Sequence, residues 1–214
     1  RRRFYVFTSQ SLNFLILTRT NSINGGGKFG VMGALNDTML KRGGQVIGVI
    51  HEIWMPKTGK KDELHRAITN LKVASGDNLS ERKEMLKAEA DGFIVLPGGP
   101  GTYEEFLEIV SERQIGFHSK PLVVVNVENF YGGILDQFQA AHDSNLLYRK
   151  PTELFRVVQN AKDAVDFVME HSDQNKLPDI ETHESSTFSN EDHSGKQSFR
   201  FGFGAGVAMS LILG

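Results

Sequence analysis

Three short segments carry residue types and spacings that could do chemistry. The most informative is Leu96-Pro97-Gly98-Gly99-Pro100-Gly101-Thr102-Tyr103-Glu104-Glu105. An apolar run ends in a proline, three glycines turn the chain, and a threonine with two carboxylates follows. Gly98, Gly99 and Gly101 let backbone N–H groups approach an anion, and Thr102 can cap a following helix or meet a phosphate oxygen. Glu104 and Glu105 are expected in the first turn of that helix, where its dipole favours carboxylates. The second segment is Gly25-Gly26-Gly27-Lys28-Phe29-Gly30-Val31-Met32-Gly33. Gly26 and Gly27 are candidate anion contacts, but no Gly-Lys-Ser/Thr follows, so this is not a P-loop. A tight turn with close helix–strand packing accounts for the same glycines. The third is Ser80-Glu81-Arg82-Lys83-Glu84-Met85. Arg82 and Lys83 fall near a helix start, where cations oppose the dipole, and a bound anion would account for them. A solvated charged face shared with Glu81 and Glu84 is the competing reading.

The elements that must hold these segments follow from the pattern of apolar residues. Strands are expected over Phe4–Phe7, Phe14–Leu17, Val46–Ile50, Phe93–Leu96 and Leu122–Val127, with a short one near Phe155–Val158. Helices are expected over Val31–Leu40, Leu79–Ala90 with Asp77 or Asn78 as cap, Thr102–Gln114, Tyr131–His142 and Ala161–His171. Asn24–Gly27 and Pro56–Lys61 read as loops, and Gly43-Gly44 ends the first helix. Continuous apolar strands alternating with helices indicate an α/β chain, a parallel sheet covered by helices on both faces. Ligands of such sheets bind at the carboxyl ends of the strands. Both glycine clusters lie where a strand hands over to a helix.

The 214 residues suit one main domain, expected over 1–170. Lys+Arg total 24 and Asp+Glu 26, a net charge of −2, so composition gives no argument for nucleic acid or an anionic membrane. There is no cysteine, which excludes disulfides, thiolate zinc sites and cysteine nucleophiles. His51, His65 and His118 are isolated, and no acidic or histidine set shows metal-ligand spacing, so no metal is expected. The run from Arg1 is broken by Ser9, Gln10, Ser11 and Asn13 and is not read as a secretory signal. No apolar run reaches the ~20 residues of a bilayer span, and a cytoplasmic location is the expectation. From 171 to 198 the chain turns polar and is expected to be a disordered tail. It ends in an apolar, glycine-rich stretch, read as a flexible tail or one that packs on a partner subunit rather than a membrane anchor.

GGGKFGVMGA, SERKEM and LPGGPGTYEEF, in that order, resemble the LOG (LONELY GUY) family of cytokinin riboside 5′-monophosphate phosphoribohydrolases, known in older labels as possible lysine decarboxylases. The likeness spans about residues 24–145 and continues through SERQIGFHSKPLVVVNVENFYGGILDQF. It implies a Rossmann-like domain, a homodimer, no cofactor, and cleavage of the N-glycosidic bond of a purine nucleoside 5′-monophosphate to free base and ribose 5-phosphate. It implies catalytic roles for Arg82 and Glu105. It also implies nucleotide contacts from Gly98, Gly99, Gly101 and Thr102, with Gly26, Gly27, Lys83 and Glu104 beside them.

The chain also departs from the family. The helix between the first two family strands looks missing or replaced, and Ser9-Gln10-Ser11 stands near the corresponding turn. Arg113 replaces an apolar, partner-facing residue, Lys57-Thr58 replace an acidic position, and 57–78 fits poorly. Two other functions compete with the hydrolase. One is a protein that binds a nucleotide or phosphorylated cofactor without turnover. The other is a pyridoxal-phosphate decarboxylase, ranked last because no lysine has a Schiff-base setting.

Overall fold

The computed structural model describes residues 2–7, 20–55 and 68–172. All of them belong to the first of the two units into which the chain divides, 1–181 and 182–214. Seven strands form one sheet: β1 (Arg2–Phe7), β2 (Thr20–Asn24), β3 (Gln45–His51), β4 (Asn70–Ala74), β5 (Gly92–Val95), β6 (Leu122–Val125) and β7 (Arg156–Val158). Their order is β4-β3-β2-β1-β5-β6-β7, and every pairing is parallel. The chain winds outward from β1 to β4, then crosses back to place β5 on the other side of β1. The reversal opens a crevice at the carboxyl ends of β1 and β5, where sheets of this kind take their ligands.

Among the described residues, six α-helices accompany the strands: α1 (Gly30–Lys41), α2 (Ser80–Ala88), α3 (Pro100–Gln114), α4 (Gly132–Asp143), α5 (Pro151–Leu154) and α6 (Ala161–His171). The continuous apolar strands divide their side chains by the two-residue period of a pleat. Ile94 in β5, Leu96 just beyond it and Val123 and Val125 in β6 join Val31, Leu35 and Met39 of α1 and Val165 and Val168 of α6 on one face. Phe93, Val95, Leu122 and Val124 join Leu86 of α2 and Phe106, Ile109 and Val110 of α3 on the other. Helices therefore cover both faces, as expected. Among the described residues no helix is long and apolar enough to cross a membrane.

Several boundaries differ from expectation. β2 occupies Thr20–Asn24, so Asn24 closes a strand rather than opening a loop. β4 and the single turn of α5 were not anticipated. α3 starts at Pro100 with Gly99 as its N-cap, two residues before Thr102. Proline suits a first helical position, because the amide it lacks has no partner there and its φ is already helical. Thr102 is therefore not the cap, and Glu104 and Glu105 lie in the second turn, with no acidic residue in the first. The helix dipole alone does not account for them. Asn78 accepts the Ser80 N–H at 2.8 Å, one residue ahead of the N-cap Leu79. The expected strand Phe14–Leu17, the loop Pro56–Lys61, His65 and the tail beyond Ser172 lie outside the described residues.

Candidate active site

The first glycine turn is built on two buried asparagines. Asn24, at the end of β2, donates to Asn36 Oδ1 at 2.7 Å and to Ser22 Oγ at 3.1 Å, and its Oδ1 accepts the Gly26 N–H at 2.9 Å. Asn36 of α1 donates back to the Gly27 carbonyl at 3.3 Å. Gly26 has φ +74°, and a Cβ there would come within 2.9 Å of Ile50. A Cβ on Gly33 would fall 1.9 Å from the Lys28 carbonyl oxygen. Close approach therefore selects both glycines. The Gly26 amide is engaged by Asn24, and the Gly27 amide meets Met32 Sδ at 2.8 Å. Both amides expected to meet an anion thus have partners within the fold in this arrangement.

The second glycine turn hangs on Tyr131. Its buried hydroxyl donates to the Leu96 carbonyl at 2.6 Å and accepts from the Gly98 amide. Burial, with Tyr103 nearby, pushes the phenol well above its ordinary pKa, outweighing the Gly98 bond. Tyr131 is itself fixed by its own N–H, which donates to Asn126 Oδ1 at 2.8 Å. Asn126 in turn donates to Asn129 Oδ1 at 3.2 Å. Beyond Gly98 the turn is open: a Cβ on Gly99 or Gly101 would meet nothing within 4 Å. The start of α3 thus presents unencumbered backbone, with Thr102 in its first turn.

Between the two turns lies a buried ion pair. Arg82, in the first turn of α2, donates from Nε to the Val49 carbonyl of β3 at 3.0 Å and from Nη1 to Glu105 Oε1 at 3.0 Å. Its side chain is 11% exposed and that of Glu105 16%. The Arg82 guanidinium carbon lies 5.6 Å from the ring centre of Trp54, which is half-exposed on the turn after β3. A Cβ on Gly25 would stand 2.5 Å from Arg82 Nη2, so this glycine makes room for the guanidinium. Arg82 points inward, away from the solvated face that was the competing reading. Removing either residue would take from a largely buried charge the opposite charge it meets at 3.0 Å.

Lys83 and Glu104 sit at the rim and bind each other. Lys83 Nζ lies 2.5 Å from Glu104 and 2.6 Å from Glu108. Those two bonds raise its pKa. Lys87 extends the network to Glu84 at 2.7 Å, Glu108 at 2.8 Å, and Glu112. Burial lowers the Lys87 pKa, but the bonds to Glu108, Glu112 and Glu84 prevail and raise it. Glu84, Glu108 and Glu112 converge as three potential metal ligands that the sequence did not reveal, because they lie on two helices. The Lys87 ammonium bonds to all three, so the cluster is an ion-pair network joining α2 to α3.

The remaining expectations separate clearly. His51 is buried, accepts from the Ile53 N–H at 3.2 Å and abuts Trp54 edge to face. His118 packs on Phe93 in the interior. Arg113, expected to face a partner, donates to the Glu153 carbonyl at 3.0 Å and the Lys120 carbonyl at 2.6 Å within its own fold. The structure therefore gathers Arg82, Glu105, Gly99, Gly101 and Thr102 at one crevice. It adds Gly25, Trp54, Asn24, Asn36 and Tyr131, which sequence reasoning did not single out.

With that geometry in place, comparison with known proteins is decisive about ancestry. A family model described as possible lysine decarboxylase matches residues 32–168. The chain belongs to this family. Its relatives include the cytokinin riboside 5'-monophosphate phosphoribohydrolases LOG5 and LOG4 of Arabidopsis thaliana. LOG5 is 34% identical over 151 residues, 71% of this chain and 64% of the relative. LOG4 is 32% identical over 162 residues, 75% and 72% respectively. The resemblance carried by the three motifs is thereby borne out. The fold is shared with the molybdenum cofactor binding protein of Rippkaea orientalis, at TM-score 0.55 and 16% identity over 79% of this chain and 96% of that one. It is shared too with the molybdenum cofactor carrier protein of Chlamydomonas reinhardtii, at 0.53 and 17% over 79% and 98%. Identities this low speak for the fold alone.

Proposed function

We propose that the chain hydrolyses the N-glycosidic bond of a purine nucleoside 5′-monophosphate, AMP or an N6-modified cytokinin nucleotide, releasing base and ribose 5-phosphate. The observation that carries this reading is the 3.0 Å Arg82–Glu105 pair, buried beside the open glycine turn of α3. The names of the chain's relatives support it.

The chemistry suits these groups. As the C1′–N bond lengthens, its electrons move to the base and positive charge builds on the ribose. Glu105 stabilises that charge and orients a water, whose oxygen bonds to C1′ and whose proton passes to the departing base. Arg82 holds Glu105 in place and is within reach of the base or phosphate. The 5′-phosphate sits at the start of α3, on the Gly99 and Gly101 backbone and the Thr102 hydroxyl, where the helix dipole favours it. The Gly98 amide is held by Tyr131 and acts by fixing the turn. Binding the remote phosphate positions the ribose for attack. Lys83 and Lys87 are each held as ammonium by two or more carboxylates, a poor state for Schiff-base formation, which supports hydrolysis over decarboxylation. No step needs a metal or cofactor. The active form is a homodimer in this reading.

The test is chromatographic. Incubation with AMP, N6-isopentenyl-AMP and adenosine should release base from the two monophosphates and leave adenosine intact. Intact nucleotide throughout, with a nucleotide-dependent rise in melting temperature, would replace this reading with ligand binding without turnover.

A further inference from the structure

The sheet has a second concave feature, at the end where its strands begin. A small open cleft lies between the last turns of α3 and α6 and the first residues of β6 and β7. Arg113, Ser119, Thr152, Glu153, Arg156 and His171 are among its lining residues. Arg113 stands eight residues after Glu105 on α3, about 12 Å along the helix at 1.5 Å per residue. The cleft therefore shares no residue with the crevice above.

Its charges are unbalanced. Arg113 is largely buried, yet its bonds go only to neutral groups, the Glu153 and Lys120 carbonyls. Burial, together with repulsion from Arg149, lowers its pKa to about 10. Among the described residues this guanidinium has no ion-pair partner, an unfavourable arrangement for a poorly solvated charge unless an anion completes it. Arg156 lines the same cleft and also makes no ion pair among the described residues. The one carboxylate in the lining, Glu153, accepts the Lys150 N–H at 2.9 Å and so caps α5. Ser119 and Thr152 add neutral hydroxyl donors. His171 stacks on Phe167, its Nδ1 lying 2.8 Å from the Phe167 carbonyl oxygen.

A clamp on two backbone carbonyls accounts for Arg113 alone. It leaves Arg156, which lines the same cleft, without a reason. We infer that this cleft binds a dianionic oxyanion of the phosphate class, held by Arg113 and Arg156 and completed by the two hydroxyls. Arg113 and Arg156 both line the cleft, and two guanidiniums suit such an ion in charge. The site stands whether or not the upper crevice is hydrolytic.

Residue-resolved NMR titration with inorganic phosphate tests this. The amides of Arg113, Ser119, Thr152 and Arg156 should shift along one isotherm, distinct from any followed by Gly99, Gly101 and Thr102. Arg156→Ala, at an exposed position, should weaken the lower isotherm at least tenfold and leave the upper one unchanged. Thr102→Val should do the reverse. Lower-cleft amides that stay still, or that shift with an affinity Arg156→Ala does not alter, would overturn the assignment.

Discussion

His118 makes the stability of this fold sensitive to acid in a calculable way. Its Nε2 lies 3.1 Å from the Ile109 carbonyl oxygen, while its buried Nδ1 has no hydrogen-bond partner among the described residues. The neutral ring with its proton on Nε2 satisfies this setting, and a second proton would have no acceptor. Burial, against the pull of the Ile109 carbonyl and helped by Arg113, Lys120 and Lys87, lowers its pKa to about 4. In the unfolded chain an imidazole titrates at about 6.5. Below that value the unfolded state gains a proton that the folded state refuses, so stability is full above pH 6.5 and falls as the pH drops towards 4. These two values give a loss of about 2 kcal/mol between pH 7 and 5, and about 3 kcal/mol by pH 4. Glu108, held below its ordinary range despite burial by Lys83 and Lys87, adds an acid-linked loss only lower, as the pH falls through the carboxylate range. His118→Gln keeps an amide donor for Ile109 and removes the titration. Urea unfolding of parent and variant at pH 7, 6 and 5 isolates the His118 contribution as the change in their difference. Parallel stability curves over that interval would refute the reasoning.

Three further outcomes follow from the geometry. Helix propensity alone favours Gly33→Ala by about 1 kcal/mol. The 1.9 Å approach to the Lys28 carbonyl oxygen reverses the sign, and urea unfolding should show a loss of about 2–3 kcal/mol. Tyr131→Phe leaves the Leu96 carbonyl without its donor, so stability should fall by about 1–3 kcal/mol in the same assay. Base release by that variant should fall further, because the Gly98 turn loses its support. Trp54 is the single tryptophan and lies over Arg82, so AMP should quench the protein's fluorescence, and Trp54→Phe should abolish the signal. An unchanged spectrum at saturating AMP would place the nucleotide elsewhere.

The two faces of the core were legible because β5, β6 and the Val46–Ile50 stretch of β3 carry no polar side chain, and a two-residue period then fixes which side chains point where. β2 was not, because its residues Asn21, Ser22 and Asn24 are buried but polar. Hydrogen bonds such as Asn24 to Ser22 and Asn36, rather than apolar character, suit that strand to the interior. β4 escaped for the opposite reason: at the sheet edge most of its residues stay partly or fully exposed. Within the site, Arg82 and Glu105 were found by motif, since their types and order survive in sequence. Their contact, between residues 23 positions apart, required α2 and α3 to pack on the same face of the sheet. Gly25 as the space for a guanidinium, and Tyr131 as the prop of the glycine turn, depend wholly on that packing. The start of α3 could have been read from Pro100. Lys83 looked like a ligand contact as a cation near a helix start, and Glu104 as a carboxylate just after a glycine turn. The fold pairs them with each other.

The measurement that bears most directly on the Arg82–Glu105 pair is the initial rate of base release from AMP and N6-isopentenyl-AMP by the parent, Glu105→Gln and Arg82→Ala, each verified as folded by circular dichroism. Glu105→Gln keeps the shape of the side chain and removes its charge, so the rate should drop about a hundredfold or more with nucleotide still bound. Arg82→Ala should lower both the rate and the melting temperature, since it removes the buried 3.0 Å ion pair with Glu105 and the bond to the Val49 carbonyl. A folded Glu105→Gln protein that releases base as fast as the parent would contradict the assignment of this carboxylate to the chemistry.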